Sequence, residues 1–399
     1  MIQGAALYIL MRMMMGVYGY TGIEKAILKA RKLAPELFMK APERATKDGY
    51  KMETHSVQTD DGYILGVHRI PGIKTSPPIL FQHGLGTASD SWIVFGRERS
   101  LAYQLADNGY DVWMGNARGN LYSKNHTTMK PTDPQFWKFS WHEMGIYDMP
   151  ATIDYILTTT GHTKLFCVVY SMGNTMTYVL LSMRPEYNSK MRLVISLSPA
   201  IFFKHTTSPS TLAVVKNWNL IKRYLDSRPT YEMFPYSDEM NAMYFYLCQN
   251  RKNVQKMFEN VLFDSFGESR GLNRSELPLI GATLSGGHSL YTVWHFIQLI
   301  QSGRFQQFDY GEKLNEQIYG SSKPPEYNLK MLTAPVAMHY GASDSLISSK
   351  DIQNLSTILP NVVEARQVPT EYFNHLDFIM HPRIKELLND HIMKALEKY

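Results

Sequence analysis

Residues 165–183 read Leu165-Phe166-Cys167-Val168-Val169-Tyr170, then Ser171-Met172-Gly173, then NTMTYVLLSM to Met183. Six residues without a charge and without polar alternation fit a strand covered on both faces. The segment Asn174–Met183 reads as helix, so a serine stands at a strand–turn–helix corner. The same rhythm extends outward in both directions. Upstream, residues 78–81 (PILF) form a short buried strand, residues 100–107 a helix, residues 110–114 a strand and residues 147–157 a helix. Downstream, residues 193–197 form the next strand. Continuous apolar strands alternating with helices predict an α/β fold with a mostly parallel sheet flanked by helices.

Before this unit, residues 55–71 alternate in polarity around Asp61-Gly62, a hairpin signal in which Asp-Gly supplies the tight turn. After Pro199 the rhythm stops for about 125 residues, too long for a loop without structure of its own. Segments such as 212–225 and 240–247, and the one-sided helix Ser289–Ile300, make this stretch a mainly helical insertion. The α/β pattern resumes with VAMHY after Pro335, a helix near 352–358, a strand at 362–368 and a last helix near 382–396. The expected division is an N-terminal leader or helical segment (1–42), a core in two parts (43–199 and 326–399) and a cap with lid (200–325).

Composition narrows the class. The chain has 399 residues, 44% hydrophobic and 19% charged, as in a folded globular protein. Its net charge of +5 is spread along the chain, with no basic block suited to a nucleic-acid backbone. The apolar run Met1–Tyr20 is broken by Arg12 and fits a signal peptide, a partial leader or a simple helix. No apolar run is long enough to span a membrane. Two cysteines occur, Cys167 and Cys248; a buried free thiol is the ordinary state of Cys167 in a central strand. Three N-x-[ST] sequons begin at Asn125, Asn273 and Asn354 and lean toward the secretory route.

The corner serine carries the chemistry. A sharp strand-to-helix turn lifts Ser171 Oγ out of the sheet, and the following helix aims its N-terminal amides at a reacting carbonyl. The pattern G-x-S-x-G known for this elbow in lipases and esterases is met at Gly173 but not at Val169. A nucleophilic serine needs a base and the base an orienting carboxylate, here in the order Ser, acid, His. His375 lies in the loop after strand 362–368, with His381 and His391 as further candidates. Asp344 follows the VAMHY strand. Asp351 reads as a helix N-cap and Asp377 as a local partner. Ends of parallel strands collect catalytic groups, which favours Ser171, Asp344 and His375. An oxyanion hole needs two fixed backbone donors; Met172 and Leu85, in FQHGLG (81–86), fit, with His83 fixing that loop. No spacing suits a metal, and no cofactor is expected.

Five runs, DGYILGVHRIP (61–71), QHGLGTASDSW (82–92), DVWMGNARGN (111–120), FWKFSWHEMGIYDMPATIDYIL (136–157) and FNHLDFI (373–379), resemble the acid lipases typified by gastric lipase and lysosomal acid lipase. The likeness extends from about Glu43 to Lys398. It implies an α/β-hydrolase core with a late cap and lid, the triad Ser171–Asp344–His375, and oxyanion donors Leu85 and Met172. It also implies a triacylglycerol or steryl ester as substrate, met at an oil–water or membrane interface, and a secreted or lysosomal location. The family usually has Gly-His-Ser-Gln-Gly where this chain has Val-Tyr-Ser-Met-Gly, and the cap has only Cys248, so the cap disulfide of mammalian members cannot form. Residues 205–247, with Trp218, Phe234, Tyr244, Phe245 and Tyr246, supply either a lid or a plain packed cap. Two other functions stand beside the lipase: a catalytically weakened lipid-binding protein, suggested by Val169, and a short-chain carboxylesterase.

Overall fold

In a computed structural model, which describes residues 19–73, 75–227, 231–249 and 251–399 with side chains from Ile23 onward, the parallel strands run through the middle of the chain. The strands are β1 (Glu53–Gln58), β2 (Tyr63–Ile70), β3 (Pro78–Gln82), β4 (Asp111–Gly115), β5 (Asn125–His126), β6 (Leu165–Tyr170), β7 (Met191–Leu197), β8 (Glu232–Met233), β9 (His288–Ser289), β10 (Val336–Tyr340) and β11 (Val362–Gln367). The main sheet has the order β1-β2-β4-β3-β6-β7-β10-β11, with β5 paired to β2. From β4 to β11 all neighbours are parallel; β1 and β2 add an antiparallel edge.

Period-two geometry explains why β6 is apolar throughout. Leu165, Cys167 and Val169 face one core cluster, while Phe166, Val168 and Tyr170 face the other. The first cluster is closed by the helices Met149–Thr160 and Met172–Met183, the second by Leu101–Asp107 and the C-terminal helices. The helix expected over 147–157 begins earlier, at Trp141–Glu143, passes through a π-turn at Met144–Asp148 and runs as α-helix from Met149 to Thr160. The β1–β2 turn is built as expected, with Gly62 at φ 97°. Its Asp61 also receives Arg118 Nη2 at 2.8 Å, and the buried Arg118 reaches Asp148 at 2.7 Å. Three distant segments are thereby tied around one guanidinium.

The insertion after β7 is mainly helical, with the short β8–β9 pair inside it. Most of the apolar run Met1–Tyr20 lies outside the described residues. The helix Gly19–Leu33 and the segment after it pack on the insertion: Ala30 in the helix, with Ala34, Leu37 and Phe38 beyond it, clusters with Ala242, Phe245 and Tyr246. Cys167 and Cys248 are both buried and free. Among the described residues no helix is long and apolar enough to cross a membrane.

Candidate active site

Ser171 sits where β6 stops and the helix Met172–Met183 starts, with φ 51° and ψ −117°, a backbone an L-residue adopts only under constraint. The constraint is visible. Ser171 N–H donates to Leu197 O at 3.0 Å, and Asn174 Nδ2 donates to Leu197 O at 3.0 Å and to Ser171 O at 3.2 Å. Gly173 is required by a close approach: a Cβ there would lie 2.5 Å from Gln82 O in β3. Val169 lies in the opposite setting, inside the apolar core. Its side chain is fully buried and packs with Met172 and Met176 in the first core cluster. The missing first glycine is therefore filled by core, and the turn at Ser171 is kept.

His375 Nε2 lies 2.9 Å from Ser171 Oγ, and His375 Nδ1 lies 2.8 Å from Asp344 Oδ2. Asp344 is held from behind, its Oδ1 accepting the Leu346 amide at 3.0 Å and the Ile347 amide at 2.8 Å. All three side chains are buried. Each comes from the carboxyl end of a different parallel strand, β6, β10 and β11, as sequence reading expected. The imidazole is also framed from outside the core: Phe266, the last residue of the cap helix Lys252–Phe266, lies nearly parallel to it, and Phe266 O accepts the His375 amide at 3.2 Å.

The other candidates fall elsewhere. Asp377 accepts the Asn374 amide and Ser269 Oγ, each at 2.8 Å, and burial raises its carboxyl to about 7. It shapes the His375 loop. Asp351 is not the N-cap: Ser348 caps that helix, and buried Asp351 takes the His205 amide at 2.9 Å and His205 Nδ1 at 2.7 Å. His381 accepts the Arg383 amide, and His391 pairs with Glu364. Cys167, inside β6, has its thiol pushed up to about 12 by burial. No group of metal-ligating side chains forms among the described residues.

The loop after β3 meets the elbow, since a Cβ on Gly84 would lie 3.1 Å from Ser171 Cβ. His83 fixes that loop: Nε2 accepts the Ala117 amide at 3.1 Å and Asn120 Nδ2 at 3.0 Å, so Nδ1 carries the proton it donates to Gly84 O at 2.8 Å. Burial holds this imidazole at about 4, hence neutral. Next in this loop, the Leu85 N–H finds no acceptor among the described residues, nor does that of Met172, the first residue of its helix. Two residues escaped sequence reading. Tyr170 OH donates to His375 O at 2.8 Å, and Ser198 Oγ touches both Asp344 and His375. Position at a strand's carboxyl end was the available signal for each.

Residues 41–96 match the family profile described as a partial alpha/beta-hydrolase lipase region, and residues 77–268 match the alpha/beta hydrolase fold. Lipase 1 of Drosophila melanogaster is 39% identical over 353 residues, covering 88% of this chain and 78% of that protein. This chain belongs to the acid lipase family of α/β-hydrolases. Gastric triacylglycerol lipase of Homo sapiens is 34% identical over 87% of this chain and 88% of its own length. A solved chain from Acinetobacter baumannii AYE, 14% identical with a TM-score of 0.50, covers 90% of this chain and 94% of its own and shares the fold alone.

Proposed function

We propose that this chain is a serine lipase that hydrolyses lipid esters, triacylglycerols or steryl esters, through an acyl-enzyme. The carrying observation is the unbroken chain of hydrogen bonds from Ser171 through His375 to Asp344 at a strained strand–helix corner. In this reading His375 Nε2 takes the Ser171 proton as Oγ attacks the ester carbonyl, then returns it to the departing alcohol. Water, activated by the same imidazole, releases the acid. Asp344 holds the imidazole tautomer with the proton on Nδ1. The amides of Leu85 and Met172 receive the oxyanion, a contribution of several kcal/mol in sites of this kind.

The gastric relative is named for triacylglycerol, which supports a lipid ester of that class here. The helices Pro209–Lys216 and Trp218–Asp226 support an interfacial cover: the first has no buried residue and the second only Trp218. A secreted or lysosomal enzyme is supported by Asn125, Asn273 and Asn354, all exposed and open to glycans. The experiment is fluorophosphonate labelling of the wild type and Ser171→Ala, followed by hydrolysis of emulsified and soluble esters. Labelling lost in the variant, with preference for the emulsion, is expected. A folded wild type that does not label would instead mark a lipid-binding protein, and preference for soluble short esters a carboxylesterase.

A further inference from the structure

Ser198 directly follows the strand β7 with a left-handed backbone, φ 43°; among the described non-glycine residues only Ser171 and Phe234 also have positive φ. A glycine would take this conformation without the steric cost of a Cβ. The side chain at this costly position is fully buried and makes two contacts. Its Oγ lies 2.6 Å from Asp344 Oδ2 and 3.0 Å from His375 Nδ1. Its amide donates to His339 O in β10 at 2.9 Å, so the hydroxyl is fixed from the sheet.

Proton accounting orders these contacts. Asp344 accepts, so the single hydroxyl proton goes to Oδ2. Ser198 Oγ can then only accept from His375 Nδ1–H, which is shared between Oδ2 at 2.8 Å and Oγ at 3.0 Å. We infer that Ser198 is a positioning residue of the triad, closing a ring with Asp344 and His375 that keeps His375 Nε2 facing Ser171. Asp344 then has both oxygens held, Oδ1 by two backbone amides and Oδ2 by Ser198 as well as by the imidazole. The imidazolium formed during attack keeps two acceptors at Nδ1, so rotation of the ring loses both at once.

This inference rests on the triad reading above, and the test separates the two. Ser198→Ala and Ser198→Gly both remove the hydroxyl, and the glycine variant keeps the backbone conformation accessible if alanine fails to fold. The rate of fluorophosphonate labelling and the acylation burst with a p-nitrophenyl ester would be measured beside KM and the melting temperature. A misplaced base costs up to about 100-fold, so both variants should acylate about tenfold to a hundredfold more slowly, with KM little changed. In an Asp344→Ala background the further loss from Ser198→Ala should shrink to within about twofold, because the ring is already open. The downfield Nδ1 proton resonance of His375 should move in Ser198→Gly. Wild-type labelling rates in both variants with an unmoved resonance would overturn the positioning role while leaving the triad standing. A folded wild type that does not label would overturn both readings.

Discussion

The two ends of the cap are held to the core in opposite ways. At one end, Phe266 and Gly267 are part of the site wall. A Cβ on Gly267 would overlap Ser343 O, Asn374 Nδ2 donates to Gly267 O at 2.7 Å, and Phe266 lies on His375. Nearby, Gly286 N–H donates to Gly86 O and the Leu121 amide to Gly286 O, each at 2.8 Å, tying the insertion to the loops after β3 and β4. At the other end, the helices Pro209–Lys216 and Trp218–Asp226 rest on the small cluster of Trp218, Leu290 and Ile297, leaving Leu212 46% and Leu220 64% exposed. Buried backbone bonds resist local opening, whereas few buried contacts permit it. Within one insertion, residues 252–289 therefore bear on the site directly, while residues 209–226 are the more exposed part, anchored at Ser208, whose Oγ donates to Asp264 O at 3.0 Å. The aromatic set read as either a lid or a plain packed cap divides along this line. Tyr244 stacks on Phe258 and Tyr246 OH donates to Ala26 O, so both belong to packed cap, while Phe234 remains exposed.

The largest effect should come from the fixed side. Ser171→Ala is expected to lower turnover by about 10⁴-fold or more with an unchanged melting temperature; retained activity in a purified variant would remove Ser171 from its role. Gly173→Ala should lose both activity and on the order of 1–3 kcal/mol of stability, because the new Cβ meets backbone at Gln82 rather than a movable side chain. Denaturant melts with burst kinetics would check it, and a wild-type profile would show that the elbow tolerates the methyl. On the exposed side, Leu212→Ser with Leu220→Ser should reduce hydrolysis of emulsified ester by about tenfold, since each leucine forgoes apolar transfer. Soluble-ester turnover and melting should stay near wild type. Equal loss on both substrates would merge the two regions.

A pH titration sharpens the same contrast. Burial lowers His68 and His83 to about 4 and His339 to about 3. Folded values below the unfolded one near 6.5 mean that stability is full above pH 6.5 and declines as pH falls toward 4, as the unfolded chain gains protons first. Asp377, raised to about 7, acts oppositely: its contribution is full below the unfolded value near 3.8 and is lost as pH rises through 7. His288 and His381 are lowered likewise, to about 3 and about 4, and Asp90 and Asp148 are raised like Asp377, to about 6; five histidines outweigh three carboxyls, so the melting temperature should fall between pH 6.5 and 4. Among the described residues His339 has no hydrogen-bond partner for either ring nitrogen, and His339→Leu should flatten that slope. A slope unchanged in this variant would assign the acid sensitivity elsewhere. The smallest effect concerns the surface: endoglycosidase should shift the mobility of chain made in a secretory host, and no shift would argue against the exposed sequons being used.

Much of the site was legible because its parts are local. The elbow needs an apolar strand, a serine, a small residue and a helix in direct succession, and residues 165–183 supply them in order. The candidate acid and base follow from strand ends that periodicity locates, and His83 reads as a loop-fixing residue from its place in FQHGLG. Tertiary structure decided what depends on segments far apart in the chain. Whether Val169 disturbs the elbow depended on which core faces it, and that face is apolar. Asp351 reads as a cap by position but serves His205, 146 residues away. Ser198, an ordinary residue after a strand, acquires its contacts only when β7, β10 and the loop after β11 lie side by side. Periodicity and turn chemistry act between near neighbours and can be read along the chain; hydrogen bonds between strand ends and the packing of a cap depend on distances that only the folded sheet sets.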